Sequence, residues 1–90
     1  MKIEFDKSFD KSLDKIGDKS IFPSIEKLIL NCEKAKSIRE IPHLKKMVGY
    51  DNYYRVRLGN YRIGIEIFNK DVIRFVIVAH RKDIYKIFPK

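Results

Sequence analysis

Tyr53-Tyr54-Arg55-Val56-Arg57-Leu58-Gly59-Asn60-Tyr61-Arg62-Ile63-Gly64-Ile65-Glu66-Ile67-Phe68 decides the fold. Apolar and polar residues alternate on both sides of Gly59-Asn60, a pair suited to a two-residue hairpin turn. The turn fixes the register. Leu58 faces Tyr61, Arg57 faces Arg62, Val56 faces Ile63 and Arg55 faces Gly64. One face then carries Tyr54, Val56, Leu58, Ile63, Ile65 and Ile67, an apolar surface that other elements must cover. A loop at 69–71 leads into a third strand, Val72–Ala79, whose alternation adds Ile73, Phe75, Ile77 and Ala79 to the same face.

Two helices are available to cover it. Residues 2–5 read as a short strand. After them Phe9, Leu13 and Ile16 recur at helical spacing, with Asp6 as N-cap and Gly17 as the stop. A second helix starts near Ser20–Pro23, with Pro23 in its first turn and an apolar stripe of Phe22, Ile25, Leu28, Ile29, Cys32 and Ala35. Cys32 on that stripe reads as a core thiol. Residues 37–52 read as irregular because Pro42 and Gly49 interrupt them, and 82–88 read as a helical tail ended by Pro89. The expected architecture is α+β: a small antiparallel sheet with two N-terminal helices on one face, in the order β-α-α-β-β-β plus the short C-terminal helical tail.

Composition narrows the classes. Ninety residues with 44% hydrophobic content and 11 Phe and Tyr are expected to form a single domain, 1–90, rather than a disordered tail. No apolar run approaches the roughly 20 residues that span a bilayer, and the start of the chain is densely charged, so neither a membrane helix nor a secretory signal is expected. The lone Cys32 excludes an internal disulfide and a cysteine-based zinc site, which points to a reducing cytoplasm, and no cofactor or metal is called for. The net charge of +8 is unevenly placed: residues 1–33 hold 6 Lys/Arg against 7 Asp/Glu, residues 34–90 hold 14 against 5. A basic half of this kind attracts polyanions.

The second face of the sheet sharpens that reading. It is expected to carry Tyr53, Arg55, Arg57, Arg62, Gly64, Glu66, Phe68, Arg74, Val76, Val78 and His80. Glu66 and Arg74 form an ordinary cross-strand ion pair. Arg57 directly opposite Arg62, with Arg55 one pleat away, does not, since like charges facing each other across strands are destabilising. Gly64 leaves a clearing beside Arg55. Guanidinium groups grip phosphate bidentately and hold their charge, so this floor reads as an anion site. Arg81 follows the last strand. Tyr85 lies one helical turn further on, from where its ring can reach back over the floor to hold an unstacked base. Lys45, Lys46, Tyr53, Lys82 and Lys86 are the surrounding candidates for RNA contact.

The run Tyr53–Arg62, the apolar strand after it, and the ending His80-Arg81-Lys82-Asp83-Ile84-Tyr85 resemble the RelE/ParE superfamily of toxins from type II toxin–antitoxin systems. The length, the two leading helices and Leu44–Gly49 fit as well, so the resemblance spans nearly the whole chain. The first block is common to the superfamily, whereas the His-Arg…Tyr ending is more typical of its RelE-like, mRNA-cleaving branch. The resemblance implies a ribosome-dependent endoribonuclease that cuts mRNA in the A site without metal, by attack of the ribose 2′-OH on the adjacent phosphate. It assigns catalytic positions to Arg55, Arg57, Arg62, Arg81 and Tyr85. It also implies a cognate antitoxin that neutralises the protein, with operator DNA bound through that antitoxin. Some members carry lysines on the first hairpin strand where this chain has Arg55 and Arg57, and a guanidinium does not serve as a base. The base is therefore open between His80 first, Glu66 second, and positioning alone. Two other readings share the fold and the basicity: a ParE-like inhibitor of DNA gyrase, and an inactive RNA-binding relative.

Overall fold

The computed structural model describes residues 1–89. β1 (Lys2–Phe5) leads into α1 (Lys7–Asp14), a 3₁₀ turn at Lys19–Ile21 runs into α2 (Phe22–Lys34), and a second 3₁₀ turn spans Ile38–Glu40. β2 (Leu44–Lys46), β3 (Tyr53–Leu58), β4 (Tyr61–Phe68) and β5 (Val72–His80) follow, and α3 (Ile84–Ile87) closes the described chain. The five strands form one sheet in the order β1-β5-β4-β3-β2.

Local chemistry explains most boundaries. The Asp6 side chain accepts from Ser8 N at 3.1 Å and caps α1. This hydrogen bonding holds the Asp6 carboxyl below its ordinary value. Pro23 occupies the first turn of α2, where a missing N–H costs nothing. Gly59 has φ 57°, which lets the two-residue turn close the β3–β4 hairpin in the expected register. Phe9, Ile25, Leu28, Cys32 and Ala35 from the helices are buried against Val56, Ile63, Ile65, Ile67, Ile73 and Phe75 of the sheet. Burial pushes the Cys32 thiol up to about 11.

Three features depart from the sequence reading. First, the sheet is mixed, because β1 runs parallel to β5 in the register Ile3↔Ile73 and Phe5↔Phe75. Four residues alternating over so short a run carry no signal of direction; their place is set by the helices that must return over the same face. Second, Leu44–Lys46 is a strand, paired antiparallel with β3 through Leu44↔Val56, Lys45↔Arg55 and Lys46↔Tyr54. Third, the β4–β5 ladder shifts register between Gly64 and Ile65: Ile65 pairs with Phe75 but Gly64 pairs with Ile77, so Val76 is an extra residue in β5. Two α1 hydroxyls satisfy the displaced backbone. Ser8 Oγ donates to the Val76 carbonyl, and Val78 N donates to Ser12 Oγ at 3.0 Å.

The bulge exchanges the two faces of β5 beyond it. Val78 joins the helix-covered core, whereas Val76, Ile77 and Ala79 pack on the other side against Met47, Ile84 and Phe88. The expected placing of Ile77 and Ala79 in the core, and of Val78 opposite, is thereby corrected.

Candidate polyanion-binding site

The hairpin sets Arg57 against Arg62 and Arg55 against Gly64, and β2 adds Lys45 on the far side of Arg55. The ladder continues one step past β2, where Arg57 N donates to the His43 carbonyl at 3.4 Å. His43 stands at φ 62°, a left-handed conformation that turns the chain out of Pro42 into β2. His43, Leu44, Lys45, Arg55, Arg57 and Arg62 together line a surface cavity of about 300 Å³. Arg62 Nη1 donates to the carbonyls of Gly59 (2.9 Å) and Tyr61 (3.0 Å), and Arg57 Nη2 lies 3.4 Å from His43 Nδ1. Among the described residues the ion pairs join Lys46 to Asp51 and Arg74 to Glu4 and Glu66; none reaches Arg55, Arg57 or Arg62. Partial burial, then the charges of Arg55 and Arg57, hold the Arg62 guanidinium below its ordinary value, with Arg81 adding to them and Tyr85 opposing. Arg62 thus lies within electrostatic reach of Arg55, Arg57, Arg81 and Tyr85. It remains a cation at any physiological pH.

The C-terminal turn closes one side of this floor. Arg81 N donates to the Asn60 carbonyl at 2.8 Å, Asp83 N to the His80 carbonyl at 2.8 Å, and Lys82 N to His80 Nδ1 at 3.2 Å. Ile84 is fully buried, which leaves Tyr85 on the outside, 60% exposed. A second cavity, of about 410 Å³, lies between this turn and the loop after β2, lined by Lys45, Lys46, Met47, Val48, Tyr50, Arg55, Tyr85, Phe88 and Pro89. Lys45 and Arg55 belong to both cavities, so a cationic pocket opens directly onto an aromatic one. The first suits an anionic group and the second a flat ring beside it.

Of the expected site residues, Arg55, Arg57, Arg62, Tyr85, Lys45 and Lys46 line these two cavities, whereas Arg81 lines neither and is held beside them through its backbone bond to Asn60. Tyr53 lies behind them, its ring 5.5 Å from Phe88 and 5.6 Å from Tyr50. Lys82 and Lys86 are exposed on the C-terminal turn and line neither cavity. His80 is displaced from its expected face. The bulge pairs Ala79 with Arg62 and puts His80 opposite Tyr61, ring against ring at 5.8 Å, on the side packed by the helices. Glu66 is held by Arg74 at 3.2 Å. The clearing at Gly64 is filled: a Cβ there would meet three Phe88 ring carbons at 2.7–2.8 Å. His43, Tyr50 and Phe88 are the site residues that the sequence reading missed. Pairing the lysine pair 45–46 with β3 would have found His43.

A family model described as "ParE toxin of type II toxin-antitoxin system, parDE" matches residues 3–85. The chain is 46% identical over 90 residues to Toxin RelE3 of Methanocaldococcus jannaschii, covering 99% of this chain and 100% of that one. The chain belongs to the RelE/ParE superfamily of type II toxin–antitoxin toxins. Its fold superimposes on the crystal structure of the RelB-RelE antitoxin-toxin complex from Methanococcus jannaschii with a TM-score of 0.80 and 44% identity, over 96% of this chain and 99% of that one. The archaeal RelE-RelB complex from Pyrococcus horikoshii OT3 shares the fold with a TM-score of 0.70 at 22% identity, over 92% and 97% of the two chains. The toxin is RelE-like in this sense. Among its described residues no helix is long and apolar enough to cross a membrane.

Proposed function

We propose that this toxin is a ribosome-dependent mRNA endoribonuclease acting in the cytoplasm and neutralised by a cognate antitoxin protein, through which the pair binds operator DNA. The carrying observation is the gathering of Arg55, Arg57 and Arg62 in one cavity, with no carboxylate among the described residues paired to them, beside a pocket walled by Tyr85. In this reading the scissile phosphate of mRNA sits on Arg55, Arg57 and Arg62. The ribose 2′-oxygen bonds to phosphorus and the bond to the 5′-oxygen breaks, which leaves a 2′,3′-cyclic phosphate and a 5′-hydroxyl. Fixed guanidinium groups facing the extra negative charge of the five-coordinate state lower its barrier, and Arg81 serves the departing oxygen. Tyr85 stacks on the adjacent base, and Lys45 and Lys46 hold the strand entering the pocket. The antitoxin is supported by the RelB partner in the 44%-identical complex.

The test is induction of the wild type and of Arg81→Ala in a bacterial host, with primer extension along a translated transcript. New 5′ ends in phase with codons are expected for the wild type and not for the variant. The ParE description of the family favours a second reading, inhibition of DNA gyrase. Growth arrest with DNA cleavage complexes and no new mRNA ends would select it.

A further inference from the structure

The proposed cleavage needs a group to take the 2′-OH proton, and neither sequence candidate is placed to do so. Glu66 is engaged by Arg74, and His80 lies on the helix-covered side with its Nδ1 accepting from Lys82 N. We infer that His43 is the proton acceptor of the site, an inference that rests on the RNA-cleavage reading above.

His43 lines the same cavity as the three hairpin arginines. The groups facing it there are all cationic: Lys45 from β2, Arg55 and Arg57 from β3 and Arg62 from β4. A guanidinium has hydrogens to give and no lone pair to offer, so the contact of Arg57 Nη2 with His43 Nδ1 requires the lone pair on Nδ1. The nitrogen able to take a proton therefore faces the anion site. A phosphate drawing Arg57 to itself frees that lone pair beside the ribose. The imidazole then accepts the 2′-OH proton as the O2′–P bond forms. The 5′-oxygen leaves with the P–O5′ bonding pair and takes a proton from water, and the imidazolium returns its proton to solvent after release. Histidine suits the step because it changes protonation near neutral pH, which arginine does not.

The left-handed backbone at φ 62° dictates the variants. Asparagine tolerates this region and glycine is free in it, so His43→Asn and His43→Gly remove the imidazole without straining the turn. The experiment is single-turnover cleavage of mRNA on programmed ribosomes from mildly acidic to mildly alkaline pH. The wild-type rate is expected to rise tenfold per pH unit on the acidic side and then level off. His43→Asn should be slower by about a hundredfold or more, and the rising limb should vanish. His80→Asn should keep that limb whatever its rate, and free imidazole should restore cleavage to His43→Gly. Retention of the limb in His43→Asn, or no rescue of His43→Gly, overturns the inference while leaving the nuclease reading intact. No cleavage by the wild type overturns both.

Discussion

Arginine occurs at both ends of the same sheet face, in opposite company. On β5, Arg74 has Glu4 at 3.1 Å on one side and Glu66 at 3.2 Å on the other, and its guanidinium lies 4.8 Å from the Phe68 ring centre. On β3 and β4, Arg55, Arg57 and Arg62 face one another, with Lys45 added from β2. The Phe88 ring, seated on Gly64, lies between the two ends. Pairing an exposed charge contributes up to about 1 kcal/mol, and opposing two like charges costs a few tenths. The first end is thus arranged for stability, and the second retains an unfavourable arrangement that an anion would relieve.

The largest test of that contrast is catalytic. Under the proposed function, Arg62→Ala should lower cleavage by about a hundredfold or more with little change in thermal midpoint, because in that reading the residue serves a charge that exists only with substrate. Arg74→Ala should do the reverse, and equal losses of activity in the two would break the comparison. Next is the partition. Gly64→Ala places a carbon within 2.8 Å of the Phe88 ring and should cost about 1–3 kcal/mol in denaturant unfolding. Gly64→Ala/Phe88→Ala should be no worse than Phe88→Ala alone, since the clash needs both groups. Smaller still, Arg57→Gln should stabilise the free protein by a few tenths of a kcal/mol while weakening RNA binding and flattening its salt dependence. Arg74→Gln should destabilise by up to about 1 kcal/mol, less at high salt.

The smallest effect concerns pH at the acidic end, where Asp6 shares a cavity with Glu66 and Arg74. Its folded value lies below the ordinary 3.8, chiefly through hydrogen bonds from Ser8. The stabilisation is therefore complete above the unfolded value and lost as pH falls through the folded one. Asp6→Asn keeps a capping oxygen without the charge. The midpoint difference between wild type and Asp6→Asn should shrink below about pH 3.8 and stay constant above it, and a difference that grows on acidification would refute the assignment.

Much of the fold was legible because alternation and turn chemistry agree between Tyr53 and Phe68, and because Asp6 and Pro23 mark helix starts. Arg55, Arg57 and Arg62 followed from the hairpin register alone. What escaped reading depended on contacts remote in sequence. β2 is a strand only because β3 is beside it, so His43 stayed hidden in a segment broken by Pro42. The extra residue at Val76 is accommodated by Ser8 and Ser12, nearly seventy positions away, and alternation within β5 carries no trace of it. Gly64 was recognised as a gap, but its occupant comes from the far end of the chain.

That extra residue works as a phase shifter. A β5 that paired without the bulge, with Val76 opposite Gly64, would carry His80 across to the arginine face and turn Ala79 towards the helices. An imidazole would then reach the site from the last strand instead of from the approach to β2. A relative's histidine is therefore to be sought at His43 or at His80 according to whether its final strand keeps the bulge, and a gapless alignment through 75–78 would match residues on opposite faces of the sheet.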